Sequence, residues 1–312
     1  MVWIQKKLYV LWWICVVVFT SGSNSVHKQD VNTITEGVTK VDLGAVSVTV
    51  VNDGQVSRTL DDQFVKNVPF SEVQAALSKA GLPTDHINVP YNPIIVDINK
   101  QRILFDAGNG EFGAKGTGKL LQNMKASGIA PESITAVVFS HFHRDHINGL
   151  RNKDGAIVFP NAKIYVPASE WDWWMDDKRL TSATDAQLAG FNAVRRVFSP
   201  IASEVIRFIP GTEILSGVHS IPANGHTPGH TVFIIEGGSR PVLYWADLTN
   251  VALFVNNPDW AVMFDMDAET AKITRHRILN LAIEANALVA GYHLPETAIG
   301  ELSKQDTGYQ FT

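Results

Sequence analysis

Residues 141–146 read HFHRDH: His141, Phe142, His143, Arg144, Asp145, His146. Directly before them, Ile134 to Phe139 is a short continuous apolar run ending at Ser140, which reads as a buried strand. The hexapeptide therefore leaves a rigid strand end onto a loop. Its three imidazoles and its carboxylate exceed what one small ion takes in a simple geometry, and two adjacent ions accommodate them. Alternate residues His141 and His143 point to one ion, and the neighbours Asp145 and His146 to the other.

Each divalent ion takes about four ligands at roughly 2.0–2.2 Å, and a catalytic site keeps a position for water. The remaining ligands must come from later in the chain. His226 in GHTPGH, Asp247 in YWADLTN and His293 in AGYHLP each follow an apolar, strand-like run. Alone, His293 would read as structural and Asp247 as a turn or cap; behind HFHRDH all three read as ligands. His230 lies near the site by sequence, whereas His27, His86, His219 and His276 have no such context and read as surface or structural residues.

Outward from this centre, strands are expected at Ala45–Val51, Ile94–Ile98, Arg102–Phe105, Val205–Ile209, His219–Ala223, Thr231–Glu236, Pro241–Trp245 and Ala287–Ala290. A helix is expected over Gly118–Ser127 with Leu120, Leu121 and Met124 on one side, and a long one over Ala268–Ala285. Pro167–Ser199 is aromatic, polar and helical in pattern. Strands in two groups, with helices between and after them, suit an α+β arrangement of sheets packed under helical layers. Gly113 to Lys119, GAKGTGK, mimics a phosphate-binding loop, but Leu120 stands where Ser or Thr would bind magnesium, so it reads as a turn ahead of the helix.

HFHRDH followed by a later His, Asp and His resembles the metallo-β-lactamase superfamily, which implies a four-layer αββα sandwich with a dinuclear site at the edge between its sheets. The resemblance covers residues from about Val41 to the end. Asp106 in LFDAG matches the superfamily's early aspartate, which supports ligands without being one. NVPFSEVQAALSKAGLP, KLLQNMKASGIAPESI, NGHTPGHT and FDMDAETAKITRHRIL are similar to the branch containing methyl parathion hydrolase and lactone-opening enzymes. That likeness implies His141, His143 and His226 on one metal, Asp145, His146 and His293 on the other, and Asp247 on both. It also matches Phe112, Trp173, Trp174 and Phe191 to a substrate pocket, although these residues suit a core equally well. IGELSKQ departs from the branch's glycine-histidine tail. Thiolate-using zinc β-lactamases need a cysteine ligand that is absent here, and histidine-rich ones lack the bridging aspartate, so Asp247 counts against that activity.

Two divalent ions, zinc or else manganese, iron or cobalt, share a water and lower its pKa from about 15.7 toward 7. The expected activity is hydrolysis of a small hydrophobic lactone, ester or organophosphate triester, with Asp145 or a metal-bound water supplying a proton and Asp247 holding both ions. The rivals are a β-lactamase or other hydrolase of the same fold, a nuclease, and a non-catalytic metal-binding protein. A formal charge of -5 argues against a nucleic-acid partner.

The 312 residues suit one catalytic domain, 41–312, behind a leader, 1–24, and a loose polar segment, 25–40. Lys6 and Lys7 ahead of the apolar run Leu8–Phe19 have the anatomy of a secretory signal cut between Thr20 and Ser25, too short for a stable membrane anchor. The expected location is periplasmic or secreted. Cys15, the one cysteine, would leave with that leader. The sequence leaves the oligomeric state open, a homodimer included.

Overall fold

The computed structural model describes residues 31–295 and 297–312. The leader expected at 1–24 lies outside the described residues, as do residues 25–30 of the loose segment. Residues 31–40 depart from the expectation of a loose segment. They form β1 (Val31–Thr35) and most of β2 (Val38–Asp42), a hairpin that turns at Gly37, where φ is 76°. Alternating Val, Thr and Ile about a Glu-Gly turn favour this pairing over disorder.

The chain continues through β3 (Val46–Val51), β4 (Gln55–Thr59), α1 (Phe70–Lys79), β5 (His86–Pro90), β6 (Ile94–Ile98), β7 (Gln101–Phe105) and α2 (Leu120–Ala126). Then come β8 (Ala136–Val138), α3 (Arg144–Ile147), β9 (Lys163–Pro167), α4 (Ala168–Trp174), α5 (Asp177–Thr181), α6 (Asp185–Phe198) and β10 (Ile206–Phe208). The second half holds β11 (Glu213–Leu215), β12 (Val218–Pro222), β13 (Thr231–Ile235), β14 (Val242–Tyr244), α7 (Ala252–Asn256), α8 (Ala268–Glu284), β15 (Leu288–Ala290) and β16 (Ile299–Gly300). A hairpin of β17 (Leu302–Lys304) and β18 (Tyr309–Phe311) ends the chain.

One sheet runs β1-β2-β3-β6-β7-β8-β9-β10 and the other β11-β12-β13-β14-β15-β16. Period-two alternation explains how the first sheet fills both of its faces. Ile94, Val96, Ile103, Phe105, Ala136 and Val138 pack toward the second sheet, with Val232, Val242 and Val289. The intervening Ile95, Leu104 and Val137 pack outward with Phe139, Val194 and Phe198, under α6. Strands buried on both faces read as continuous apolar runs, which is what made them legible. On the far side, Ile278 and Leu279 of α8 cover the second sheet. The layers are helix, sheet, sheet, helix, as the αββα expectation required. A third cluster joins the antiparallel β4–β5 pair and α1 to the 251–264 stretch through Leu77, Val89, Phe254 and Trp260.

The helices have local causes. Thr184 and Gln187 form a capping box at the start of α6, and Asp267 accepts from the Thr270 amide at 3.0 Å to start α8. At α2, Leu120 and Met124 are buried but Leu121 is 43% exposed, against expectation. One residue on from Leu120 turns about 100° around a helix, away from the stripe that the i, i+4 pair forms. Asp53, itself fully buried, accepts from the Leu120 amide at 2.8 Å and from Asn109. The GAKGTGK turn thus spends its helix-start donor on a carboxylate, consistent with its reading as a simple turn.

Candidate metal centre

Strand direction gathers the site. β7 and β8 pair in parallel, and so do β14 and β15; β12 joins the latter direction through two antiparallel steps. All five deliver their C-terminal ends to one edge, where crevices form in sheets of this kind. Asp106 follows β7, residues 141–146 follow β8, His226 follows β12, Asp247 follows β14 and His293 follows β15. Two of these exits are strained: Asp106 has φ 60° and Ala246, just before Asp247, has φ 48°. A left-handed residue other than glycine costs of order 1–3 kcal/mol, and the bonds made beyond it offset that cost.

All seven residues expected as ligands come together. His141, His143, His226 and Asp247 form one group, and Asp145, His146, Asp247 and His293 another; within each group the candidate ligand atoms lie within 4.8 Å of one another. Asp247 is common to both. Its Oδ2 stands 3.2 Å from His226 Nε2 and 3.1 Å from His293 Nε2, and its Oδ1 is 3.0 Å from His146 Nε2.

The outer nitrogens of the rings are held from behind. The Nδ1 atoms of His146, His226 and His293 lie 2.9, 3.1 and 2.8 Å from Asp106 Oδ2, Asp265 Oδ1 and the Pro90 carbonyl. Ser140 Oγ is 3.0 Å from His141 Nδ1. A ring that donates through Nδ1 keeps the Nε2 lone pair for the centre. His143 is reversed, with its Nδ1 2.8 Å from His226 Nε2. His230 accepts from the Asp247 amide at 3.2 Å and is bound through Nδ1 to the Ala223 carbonyl, so it fixes the Asp247 backbone.

The residues fit metal ions by a test independent of motif. His141 Nε2 is buried at the centre with no hydrogen-bond partner, and the buried His146 Nε2 and Asp247 Oδ1 have as their nearest contact each other, at 3.0 Å. Such atoms cost of order 1–3 kcal/mol each unless something else binds them, and nitrogen and carboxylate donors facing one point suit divalent cations. Electrostatics agree. Burial pushes the Asp145 carboxyl up, but the His146 and His293 imidazoles overcome it and hold it at about 2. Burial lowers His226, and the Asp247 and Asp265 carboxylates reverse this, lifting it to about 9.

The centre floors a cavity of about 630 Å³. Phe112 and Trp174 line it, as expected, with Tyr91, Phe264, Met266 and Arg58. Phe112 is 37% exposed and lies under the Arg196 guanidinium. Trp173 and Phe191 do not line the cavity. They stack on each other at 5.2 Å behind Trp174, because α4 and α6 turn these rings inward to the core.

Asp265, Arg275 and Glu170 were not singled out from sequence. Asp265 Oδ2 receives the Arg275 guanidinium at 3.0 Å, and both side chains are buried. Glu170 is fully buried and accepts from the Thr227 hydroxyl and from the Gly229 amide. Burial pushes its carboxyl up to about 8.

Residues 87–291 match the metallo-beta-lactamase superfamily. No curated protein sequence matches the chain. Among solved structures, AidC, a dizinc quorum-quenching lactonase in complex with a product N-hexnoyl-L-homoserine, is similar at 26% identity and TM-score 0.82, over 88% of this chain and 97% of that one. The hydrolase AbOPH of the beta lactamase superfamily is 26% identical, with TM-score 0.81 over 90% of this chain and 98% of its own. A probable metal-dependent hydrolase from Staphylococcus aureus shares the fold at 20% identity and TM-score 0.71, over 87% and 99%. The family match runs from β5 to the residue after β15, and the two-sheet frame that carries the clustered histidines is shared with known hydrolases. The chain belongs to the metallo-beta-lactamase superfamily.

Proposed function

We propose that the chain is a dinuclear metal-dependent hydrolase acting on small hydrophobic lactones, esters or organophosphate triesters. The observation that carries this reading is the pair of four-residue groups sharing Asp247 at the floor of a cavity with aromatic walls. His141, His143 and His226 would hold one ion, Asp145, His146 and His293 the other, and Asp247 both. Zinc is the metal favoured by likeness to the dizinc AidC, whose bound product also favours a lactone within the substrate class.

Two divalent ions there would supply Lewis acidity and lower the pKa of a water. The protein's own part is to hold, orient and exclude. Asp145 is 24% exposed, with its Oδ2 3.4 Å from His146 Nε2 and 3.5 Å from His293 Nε2, so it is ionised and reaches the cavity. Its other carboxylate oxygen would take a proton from the attacking water and pass it to the leaving oxygen. Trp174, Phe112 and Tyr91 take the apolar part of the substrate and displace water around the electrophilic carbon or phosphorus. Export, inferred from the residues at 1–24, is part of the same proposal: a periplasmic fraction should yield a chain starting shortly after Thr20.

Elemental analysis together with a panel of lactones of several acyl lengths, aryl esters, paraoxon-type triesters and a chromogenic β-lactam tests the reading. Two ions per chain, with lactone, ester or triester turnover lost on chelation, is the expected result. A metal-loaded chain inert to the whole panel overturns it in favour of a metal-binding role.

A further inference from the structure

Helix α4 and the GHTPGH loop meet at a buried carboxyl. Gly229 comes so close to α4 that a Cβ there would stand 2.4 Å from the Glu170 backbone nitrogen. Across this contact the Glu170 Oε1 takes both the Thr227 hydroxyl and the Gly229 amide. Those two residues flank Pro228 and directly follow His226, so one carboxyl oxygen fixes the loop that presents the imidazole.

The same face of that helix reaches the cavity one turn on. Trp174 lies one turn after Glu170, lines the cavity wall, and sets its ring 6.4 Å from that of His143. Glu170 Oε2 and Trp174 Nε1 are both buried, and the Trp174 indole is the side-chain donor that faces the carboxyl and lowers it against burial. A fully buried carboxyl is costly for the fold alone, since a glutamine-sized apolar residue would fill the space. The engaged oxygen explains its presence: it ties an ion-holding loop to the helix that carries the pocket wall.

We propose that Glu170 is a positioning residue that sets His226 and Trp174 in register, so that the His141, His143, His226 group and the aromatic wall are aligned by a single side chain. The inference rests on the dinuclear hydrolase reading and adds a residue that touches neither ion nor substrate. It acts through Thr227 and Gly229. Among the described residues, Asp145, His146 and His293 make no hydrogen bond to this carboxyl, and the ion they would hold serves as an internal control.

The test compares wild type with Glu170→Ala, Glu170→Gln and Thr227→Val. Zinc is titrated into each metal-stripped protein, and ions per chain, melting temperature without metal, kcat and KM are recorded. Wild type should take up two ions. Glu170→Ala should fall toward one and raise KM for an aryl ester at least threefold. Glu170→Gln, which keeps the acceptor oxygen, should restore both. Two tightly held ions and an unchanged KM in Glu170→Ala overturn the inference, whatever happens to its melting temperature, because a merely structural role moves only that. If Glu170→Ala does not fold, Thr227→Val decides: about tenfold weaker binding of one ion supports the role, and unchanged binding of both overturns it. A wild-type chain that takes up no zinc overturns the hydrolase reading and this inference together.

Discussion

Asp265 stands between His226 and Arg275, with one carboxylate oxygen 3.1 Å from the imidazole Nδ1 and the other 3.0 Å from the guanidinium. The arginine also donates to the carbonyls of Leu248, Pro258 and Trp260, so the bridge reaches the stretch just after Asp247. Asp265→Asn should act in two separable ways. Losing the charge behind His226 should weaken binding of one ion ten- to hundredfold. Leaving Arg275 buried without its counter-ion should cost about 3 kcal/mol of stability. Adding Arg275→Met should recover stability in urea unfolding but not ion affinity; recovery of both would mean that Asp265 acts only through packing.

Asp247→Asn keeps the size of the shared carboxylate and removes its charge. Ion content should drop toward one per chain, because three histidines still surround one site, and turnover should fall by about 10²-fold, at the upper end of losses seen around metal ligands. Elemental analysis showing two ions with near wild-type turnover would identify Asp247 as a turn residue.

Gly149 follows HFHRDH closely, and a Cβ there would meet the Ala107 carbonyl oxygen at 1.9 Å. That oxygen is main chain beside Asp106 and cannot rotate away. Gly149→Ala should therefore cost about 1–3 kcal/mol and shift Asp106, the partner of His146. Thermal unfolding and zinc titration should both register it; a variant with native stability would show that the 106–108 turn yields freely.

Glu170 gives a pH signature. Its carboxyl sits at about 8 in the fold through burial, against 4.5 as its ordinary value. The folded state therefore binds the proton more tightly than the unfolded chain, and stability falls as pH rises between these values. Each pH unit inside that window is worth about 1.4 kcal/mol, so metal-stripped wild type should lose roughly 2 kcal/mol between pH 6 and 8 relative to Glu170→Gln. Parallel pH profiles for the two proteins would show that Glu170 is ionised throughout.

The sheets and most of the ligand set were legible for one reason: strands buried on both faces are apolar without interruption, and polar residues just beyond them stand out. Ile94–Ile98 agrees to the residue, and six of the seven clustered side chains lie past the fully buried β8, β14 and β15, whereas His226 follows the mixed β12 and stood out through GHTPGH. The 31–42 hairpin was hidden because its strands are half polar, although its Glu-Gly turn was a usable signal. Asp265 and Glu170 were hidden by distance. Their partners lie 39 and 57 residues away along the chain, and nothing in an isolated Asp or Glu announces a buried carboxyl. Trp173 and Phe191 show the reverse error, since an aromatic near a site by sequence can face the core as readily as the cavity.

The strand-end assembly of the centre also governs when it can exist. His143 and His226 are separated by 83 residues, and His293 lies a further 46 beyond Asp247. Contacts this remote form late, after the loop-closure entropy of both sheets has been overcome. During synthesis, a chain that has emerged only through Asp247 already owns the His141, His143 and His226 triad, while its second group must wait for β15 to dock beside β14. Cation uptake should consequently proceed in sequence, and a nascent chain halted between these points would be a one-ion species awaiting its last strand.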